Sequence, residues 1–136
     1  MEAARRMMQI MQAAFLVSIA LYAVMTKMLP ANAAPNVVVF KVLVLLAVGN
    51  VVTIFLLRRK LVKPAEQTLS MQPEDADALA RWRSGYIITY AFSEVVALCG
   101  LILHFMGFTF AQVLPFFIAG FVLILFYVPR LAAPTR

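Results

Sequence analysis

Four long apolar stretches, separated by prolines and polar residues, dominate the pattern of this 136-residue chain. They run over about 9–29, 37–57, 84–106 and 108–128. A helix that crosses the hydrocarbon core of a bilayer needs about 20 mostly apolar residues, and each stretch has that length. Strands of a membrane barrel alternate over about ten residues instead. The pattern predicts an all-α polytopic membrane protein, with one four-helix transmembrane domain over residues 1–136.

The composition excludes several other classes. Hydrophobic residues make up 64% of the chain and charged residues 13%, against about 45–50% and about 25% in a soluble domain. Too few polar residues remain to cover a soluble helical core. The single cysteine, Cys99, and the single histidine, His104, cannot form an internal disulfide or a metal site built from Cys and His alone. We therefore expect no metal and no cofactor.

The start of the chain has a second interpretation. Arg5 and Arg6, the apolar run after them and the small residues at 31–33 resemble a signal peptide with its cleavage site. The apolar run is long enough to cross a membrane, so we interpret it as a retained span.

The basic residues predict the orientation of the spans. Ten of the twelve Lys and Arg residues precede the first span, lie between the second and third, or follow the fourth; Lys27 and Lys41 lie near the other ends. The positive-inside rule then places both termini in the cytoplasm, in an inner (plasma) membrane. The net charge of +6 reflects this orientation and contact with anionic lipid, so the expected partner is the bilayer. Nucleic acid is not expected, because no extramembrane basic stretch carries interleaved aromatic residues.

Residues 58–83 are the one long segment predicted to lie outside the membrane, and we expect them to form a cytoplasmic loop with a short helix. We expect Ser70 to cap a helix that starts at Pro73, because proline suits the first helical position and the acids after it suit the helix dipole. Trp82, between two arginines, would anchor this lead-in at the membrane interface. A docking surface for a soluble partner is the alternative.

An internal repeat is visible in the first and third spans. Residues 14–23 read AFLVSIALYA and residues 91–100 read AFSEVVALCG, so an Ala-Phe…Ala-Leu frame recurs 77 positions later. The second and fourth spans match more weakly. We interpret the chain as two tandem helical hairpins in the same orientation, related by an axis along the membrane normal. Chance similarity between apolar helices is the alternative.

Glu94 is the one acid inside a predicted span. It lies ten residues after Ser84, about 15 Å into the membrane. An ionised acid costs about 2.5–3.5 kcal/mol at that depth, so it must pair, face water or stay protonated. Asn50 has a matching depth, and Tyr90 lies one turn before Glu94. We predict an ion-binding site of Glu94, Asn50, Tyr90 and Ser93, or else a protonated Glu94 that only joins helices.

Helical spacing divides the third span into two faces. Small or polar residues share the predicted inward face, and Gly85, Thr89, Ser93 and Ala97 form a row that lets another helix approach closely, with Gly100 beyond it. Cys99 falls on the predicted lipid face and is expected to be inert. His104, near the outer end, is either an interface residue or a relay for protons.

Residues 90–105, which read YAFSEVVALCGLILHF, resemble the carboxylate-bearing helix of the proteolipid c subunit of rotary ATP synthases. In that family a similar Ala-x-Ser-Glu or Ala-Glu segment carries the ion-binding acid at mid-membrane. The resemblance covers about 16 residues and implies that Glu94, beside Ser93, is the acid. Unlike the family, this chain lacks a glycine-rich partner helix, has a loop of about 25 residues and carries two further spans.

Three functions follow as alternatives. The first is proton or cation handling through Glu94. The second is a non-catalytic structural or accessory subunit, whose small-residue faces pack on other membrane proteins. The third, an enzyme acting on lipids, is the weakest, because the sequence has no paired acids, no HExxH, no aspartate-rich motif and no Cys–His pairing; we expect no catalytic residues. A homo-oligomer or a complex with other membrane subunits is expected in either leading case.

Overall fold

A computed structural model of the chain describes residues 2–31 and 33–130. Helix accounts for 85% of them, and no strand occurs in these two ranges. The helices are α1 (Glu2–Met28), α2 (Val37–Leu57), α3 (Lys63–Met71), α4 (Ala76–Phe105) and α5 (Phe110–Phe126), and a π-helical turn, Arg58–Val62, joins α2 to α3.

Within the described ranges, three helical segments are long and apolar enough to cross a membrane: Glu2–Met28, Val37–Met71 and Ala76–Phe105. This finding indicates a helical membrane protein. The fourth predicted span, 108–128, is shorter than expected, because α5 has 17 residues, a length of about 25 Å. Gly107, with a φ of +95°, makes the turn before it, and Thr109 with Gln112 forms a capping box that starts α5 at Phe110.

The predicted loop over 58–83 is largely helical. In a regular helix Pro64 would lack a hydrogen bond and its ring would clash with the carbonyl of Lys60. The wider π turn precedes Pro64, and the N–H of Lys63 donates to the carbonyl of Arg58. The chain therefore continues as helix to Met71, and the non-helical turn is residues 72–75.

The predicted cap of the next helix was wrong. Ser70 lies inside α3, where its hydroxyl donates to the carbonyl of Gln67, and Pro73 lies in the turn. Asp75 is the N-cap of α4, since its carboxylate accepts from the N–H of Ala78 at 2.9 Å. A carboxylate is an effective N-cap, because it bonds a free backbone N–H and favours the positive end of the helix dipole.

The helix α4 is the centre of the bundle, because α1, α2, α3 and α5 all pack on it. Consecutive helices α1 and α2 do not pack along their lengths; α1 lies on α4 and α5, whereas α2 lies mainly on α4. The packing therefore differs from two closed hairpins in tandem: α4 and α5 form one, and α1 and α2 do not.

Several residues of α1 and α4 that lie 77 positions apart in the sequence are both buried. Gln12 and Thr89 are both buried, as are Ile19 and Val96, and Thr26 and Leu103. The contacts of Phe15 with Tyr90, of Tyr22 with Glu94 and of Leu29 with His104 follow the same order along both segments, so α1 and α4 run parallel. The interpretation as a duplication stays a prediction.

Candidate functional site

The carboxyl group of Glu94 is bound by a tyrosine of the first helix. The hydroxyl of Tyr22 on α1 donates to Oε1 of Glu94 at 2.6 Å, a length typical of hydroxyl bonds to carboxylates, which run about 2.5–2.7 Å. Both side chains are half-buried. A protonated carboxyl retains a carbonyl oxygen that can accept the same bond. Tyr22 can therefore hold the carboxyl group in place whether or not Glu94 is ionised.

Glu94 lies far from both ends of α4. It lies eleven residues before the end of α4 at Phe105, which is about 17 Å of helix. The exposed back of α4 includes Ala91 and Ile102, so Glu94 borders that surface as well as α1. The acid is thus held at the rim of the α1–α4 interface and is not sealed in the core.

The other residues of the predicted ion site bond elsewhere. The Asn50 side chain donates to the carbonyl of Leu46 in its own helix, and Ser93 donates to the carbonyl of Thr89. The Tyr90 hydroxyl donates to the carbonyl of Tyr127 at 2.9 Å. The structure therefore does not bring these three side chains together around the carboxyl group of Glu94.

Tyr90 instead belongs to a set of side chains that bond carbonyl groups at the end of α5. Gln12 of α1 donates to the carbonyl of Ile124 at 2.9 Å, and the Tyr86 hydroxyl lies 3.2 Å from that of Val128. The last carbonyls of a helix lack partners within it, so these bonds stabilise the end of α5 against α1 and α4.

The row of small residues packs inside this chain. Gly85, Thr89, Ser93, Ala97 and Gly100 are all buried. A Cβ atom on Gly100 would lie 2.8 Å from Cβ of Phe116, and one on Gly120 would lie 2.7 Å from the Ser93 carbonyl oxygen. The close approach that this row allows is therefore made to α5, and at Gly85 to Val62 of the π turn.

His104 is buried and connects three segments. Its Nε2 lies 2.8 Å from the carbonyl oxygen of Leu29, just after α1, and its Nδ1 lies 3.2 Å from that of Phe108. A neutral imidazole donates from one nitrogen, so both contacts are hydrogen bonds only in the doubly protonated ring. The Glu94 carboxyl group lies ten residues away on α4, so the structure gives His104 a connecting position and no contact with that acid.

Two further expectations differ from the structure. Cys99, expected on the lipid face, is 2% exposed and belongs to the core. Trp82, expected at the membrane interface, is fully buried, and its ring centroid lies 5.1 Å from that of Tyr86. Both residues are buried for the same reason: four other helices pack around α4 and cover more than one of its faces.

Tyr22, whose hydroxyl binds Glu94, was not among the predicted site residues. A tyrosine inside an apolar span needs a partner for its hydroxyl, and this was the available signal. Gln12 was likewise missed as a bonding residue, although an amide in a membrane helix has the same requirement.

The described residues offer the Glu94 carboxyl group few companions that could bind a metal ion. In the ranges that the structure describes, no group of three or more His, Cys, Asp and Glu side chains could hold a metal. Hard cations take about six or more oxygen ligands, whereas Tyr22 is the side chain that contacts the Glu94 carboxyl group here. A single acid with a hydroxyl donor is sufficient to bind and release a proton.

Comparisons with protein-family models, with curated proteins and with solved structures find no match to this chain. The resemblance of residues 90–105 to the proteolipid c subunit therefore stays a prediction that rests on those residues alone.

Proposed function

We propose that this chain is a small integral membrane protein that takes up and releases a proton at Glu94. The observation that carries the proposal is the 2.6 Å bond between the Tyr22 hydroxyl and Oε1. It fixes the carboxyl group while Oε2 is left to carry the exchanging proton. Ionisable residues inside membrane spans are rare and commonly mark proton or ion pathways, which supports a functional role for Glu94.

Glu94 is half-buried at the rim of the α1–α4 interface, so its carboxyl group is not sealed in the core. In this proposal the chain lies in the inner membrane with both termini and the 72–75 turn in the cytoplasm, as the positive-inside rule predicts.

Proton flux into vesicles tests the proposal. Purified protein is reconstituted in proteoliposomes that contain a pH dye, and a pH gradient is imposed across their membrane. A potassium diffusion potential then drives proton flux, and the unaltered protein should dissipate the gradient. We expect Glu94→Gln to abolish this flux and Tyr22→Phe to reduce it. Glu74→Gln is the matched control, since Glu74 is an exposed acid in the turn before α4, and it should leave the flux unchanged.

Two results would contradict the proposal. One is a flux through Glu94→Gln equal to that of the unaltered protein. The other is an unaltered protein that holds the gradient as well as empty vesicles do, because then no proton is moved by this chain.

The second candidate, an accessory subunit, is favoured by a different observation. One side of α2 carries a shallow groove, lined by Val42, Leu45, Leu46, Gly49, Asn50 and Thr53. Small and polar residues on a membrane helix are typical of helix–helix contacts. A Cβ on Gly49 would meet nothing within 4 Å, so this position contributes nothing to the packing of the chain itself.

The groove gives this candidate a clean test. Gly49→Leu should leave the monomer folded and abolish any oligomer or complex seen by cross-linking in the membrane. Enlarging Ser93 or Ala97, two members of the small-residue row, would instead disturb the α4–α5 contact, because both are buried there. Unchanged cross-linking of Gly49→Leu would remove the groove as an assembly surface.

A further inference from the structure

A cavity of about 410 Å³ lies at the junction of α2, the π turn and the residues that follow α5. Its basic side is formed by Arg58, Arg59 and Lys63. Its other side is aromatic and aliphatic, with Phe55, Leu56, Phe126 and Tyr127. No carboxylate lines it among the residues described. The lining therefore combines a positive half and an apolar half, as an amphiphile with an anionic head requires.

The π turn explains why the basic side chains gather here. Lys63 is four residues after Arg59, so one turn separates them along the helix, and the widened turn before Pro64 carries both past the end of α2. Both side chains are exposed. π-helical turns are rare and occur frequently at functional sites.

Arg58 gives the cavity a fixed positive charge. Its guanidinium carbon lies 4.0 Å from the ring centroid of Tyr127 and 4.7 Å from that of Tyr86. Such cation–π contacts hold the side chain without neutralising it. Its Nη2 donates to the Tyr86 hydroxyl at 3.4 Å, and Nη1 is buried with no hydrogen-bond partner in the described ranges.

The nearest acid compensates this charge only in part. The Tyr86 hydroxyl donates to Oε1 of Glu66 at 3.0 Å, so Glu66 reaches Arg58 through the tyrosine. Arg59 and Lys63 face the cavity as two further positive charges. The site therefore keeps a positive excess that suits a phosphate group.

We propose that this cavity binds the phosphate headgroup of an anionic membrane lipid. Arg59 and Lys63 contact the phosphate, Arg58 supplies the fixed charge behind them, and the acyl chains follow the apolar side. Phe55, Leu56 and Phe126 are 57%, 54% and 73% exposed, and they continue the apolar surface of α2 and α5. A free phosphate ion would use the basic side alone, so the apolar half favours a lipid.

Native mass spectrometry of the full chain in neutral detergent tests this site. Phosphatidylglycerol and phosphatidylcholine with identical acyl chains are compared, and inorganic phosphate is added as a competitor. We expect one phosphatidylglycerol to be retained in preference. The double variant Arg59→Gln/Lys63→Gln should weaken its binding about thirtyfold, as expected for two basic residues at an anionic headgroup.

The matched control is Arg5→Gln/Arg6→Gln, which removes the same charge from exposed positions at the start of α1. It should leave phosphatidylglycerol binding unchanged, because a detergent micelle has no anionic surface that attracts basic residues in general. Lys63→Gln alone, an exposed single change checked by circular dichroism, covers the case in which the double variant fails to fold.

Three results would overturn the proposal. Equal retention of the two lipids would show that the headgroup charge is not recognised. Equal losses in both double variants would show that binding follows net charge. Displacement of the lipid by inorganic phosphate at similar concentration would assign the cavity to a free phosphate ion. None of these results depends on Glu94.

Discussion

The hydroxyl of Tyr22 and the carboxyl group of Glu94 lie 2.6 Å apart, although 72 positions separate the two residues in the chain. The bond joins α1 to the central helix α4. Hydrogen bonds between membrane helices contribute about 0.6 kcal/mol on average and up to about 1.7 kcal/mol. Tyr22→Phe should therefore lower the free energy of unfolding by an amount in that range.

Reversible unfolding in mixed micelles measures this effect. A double-mutant cycle of Tyr22→Phe and Glu94→Leu isolates the energy of the pair, since each change removes one partner. A coupling energy indistinguishable from zero would show that the bond does not hold the two helices together.

Gly120 and Gly49 form a matched pair for the packing of the bundle. A Cβ on Gly120 would lie 2.7 Å from the backbone oxygen of Ser93, which cannot move freely, whereas one on Gly49 would meet nothing within 4 Å. We expect Gly120→Ala to destabilise the protein by about 1–3 kcal/mol, as overpacking does. Gly49→Ala should be neutral or stabilising, because alanine is the better helix former. The same unfolding measurement compares them, and equal effects would contradict the α4–α5 contact described above.

His104→Leu should loosen one end of the bundle. It removes the imidazole that faces the carbonyl oxygens of Leu29 and Phe108, and a buried polar group that loses its hydrogen-bond partner costs about 1–3 kcal/mol. Hydrogen exchange should increase in the turn after α4 and at the end of α1. Exchange that stays at the level of the unaltered protein would show that His104 does not connect these segments.

The orientation in the membrane is tested by paired cysteine variants. Glu74→Cys places a thiol in the exposed turn before α4, and Ala34→Cys places one between α1 and α2, where the chain is also exposed. The native Cys99 is buried. With a membrane-impermeant maleimide on intact spheroplasts, we expect labelling at position 34 alone; inverted vesicles should give the reverse. Labelling of position 74 from outside would reverse the predicted orientation.

The sequence by itself determined the helical class and most of the helix positions. Long apolar runs leave the backbone no partners except its own, which requires helices in a membrane. Residues 37–57 were predicted as a span and form α2 over the same residues. The position of Glu94 along α4 also follows from counting residues, because the rise per residue of a helix is constant.

The tertiary structure decided which side chains meet. Residue spacing indicates the faces of a helix but not which neighbour covers each face, so Asn50 was an acceptable partner for Glu94 by depth while Tyr22 is the partner in space. The burial of Cys99 follows from the central place of α4, which no single-helix pattern shows. The basic cavity likewise depends on the π turn, whose hydrogen bonds follow from how the chain accommodates Pro64 and not from apolar periodicity. Contacts between distant residues depend on how whole helices pack, and that arrangement is a property of the assembled bundle.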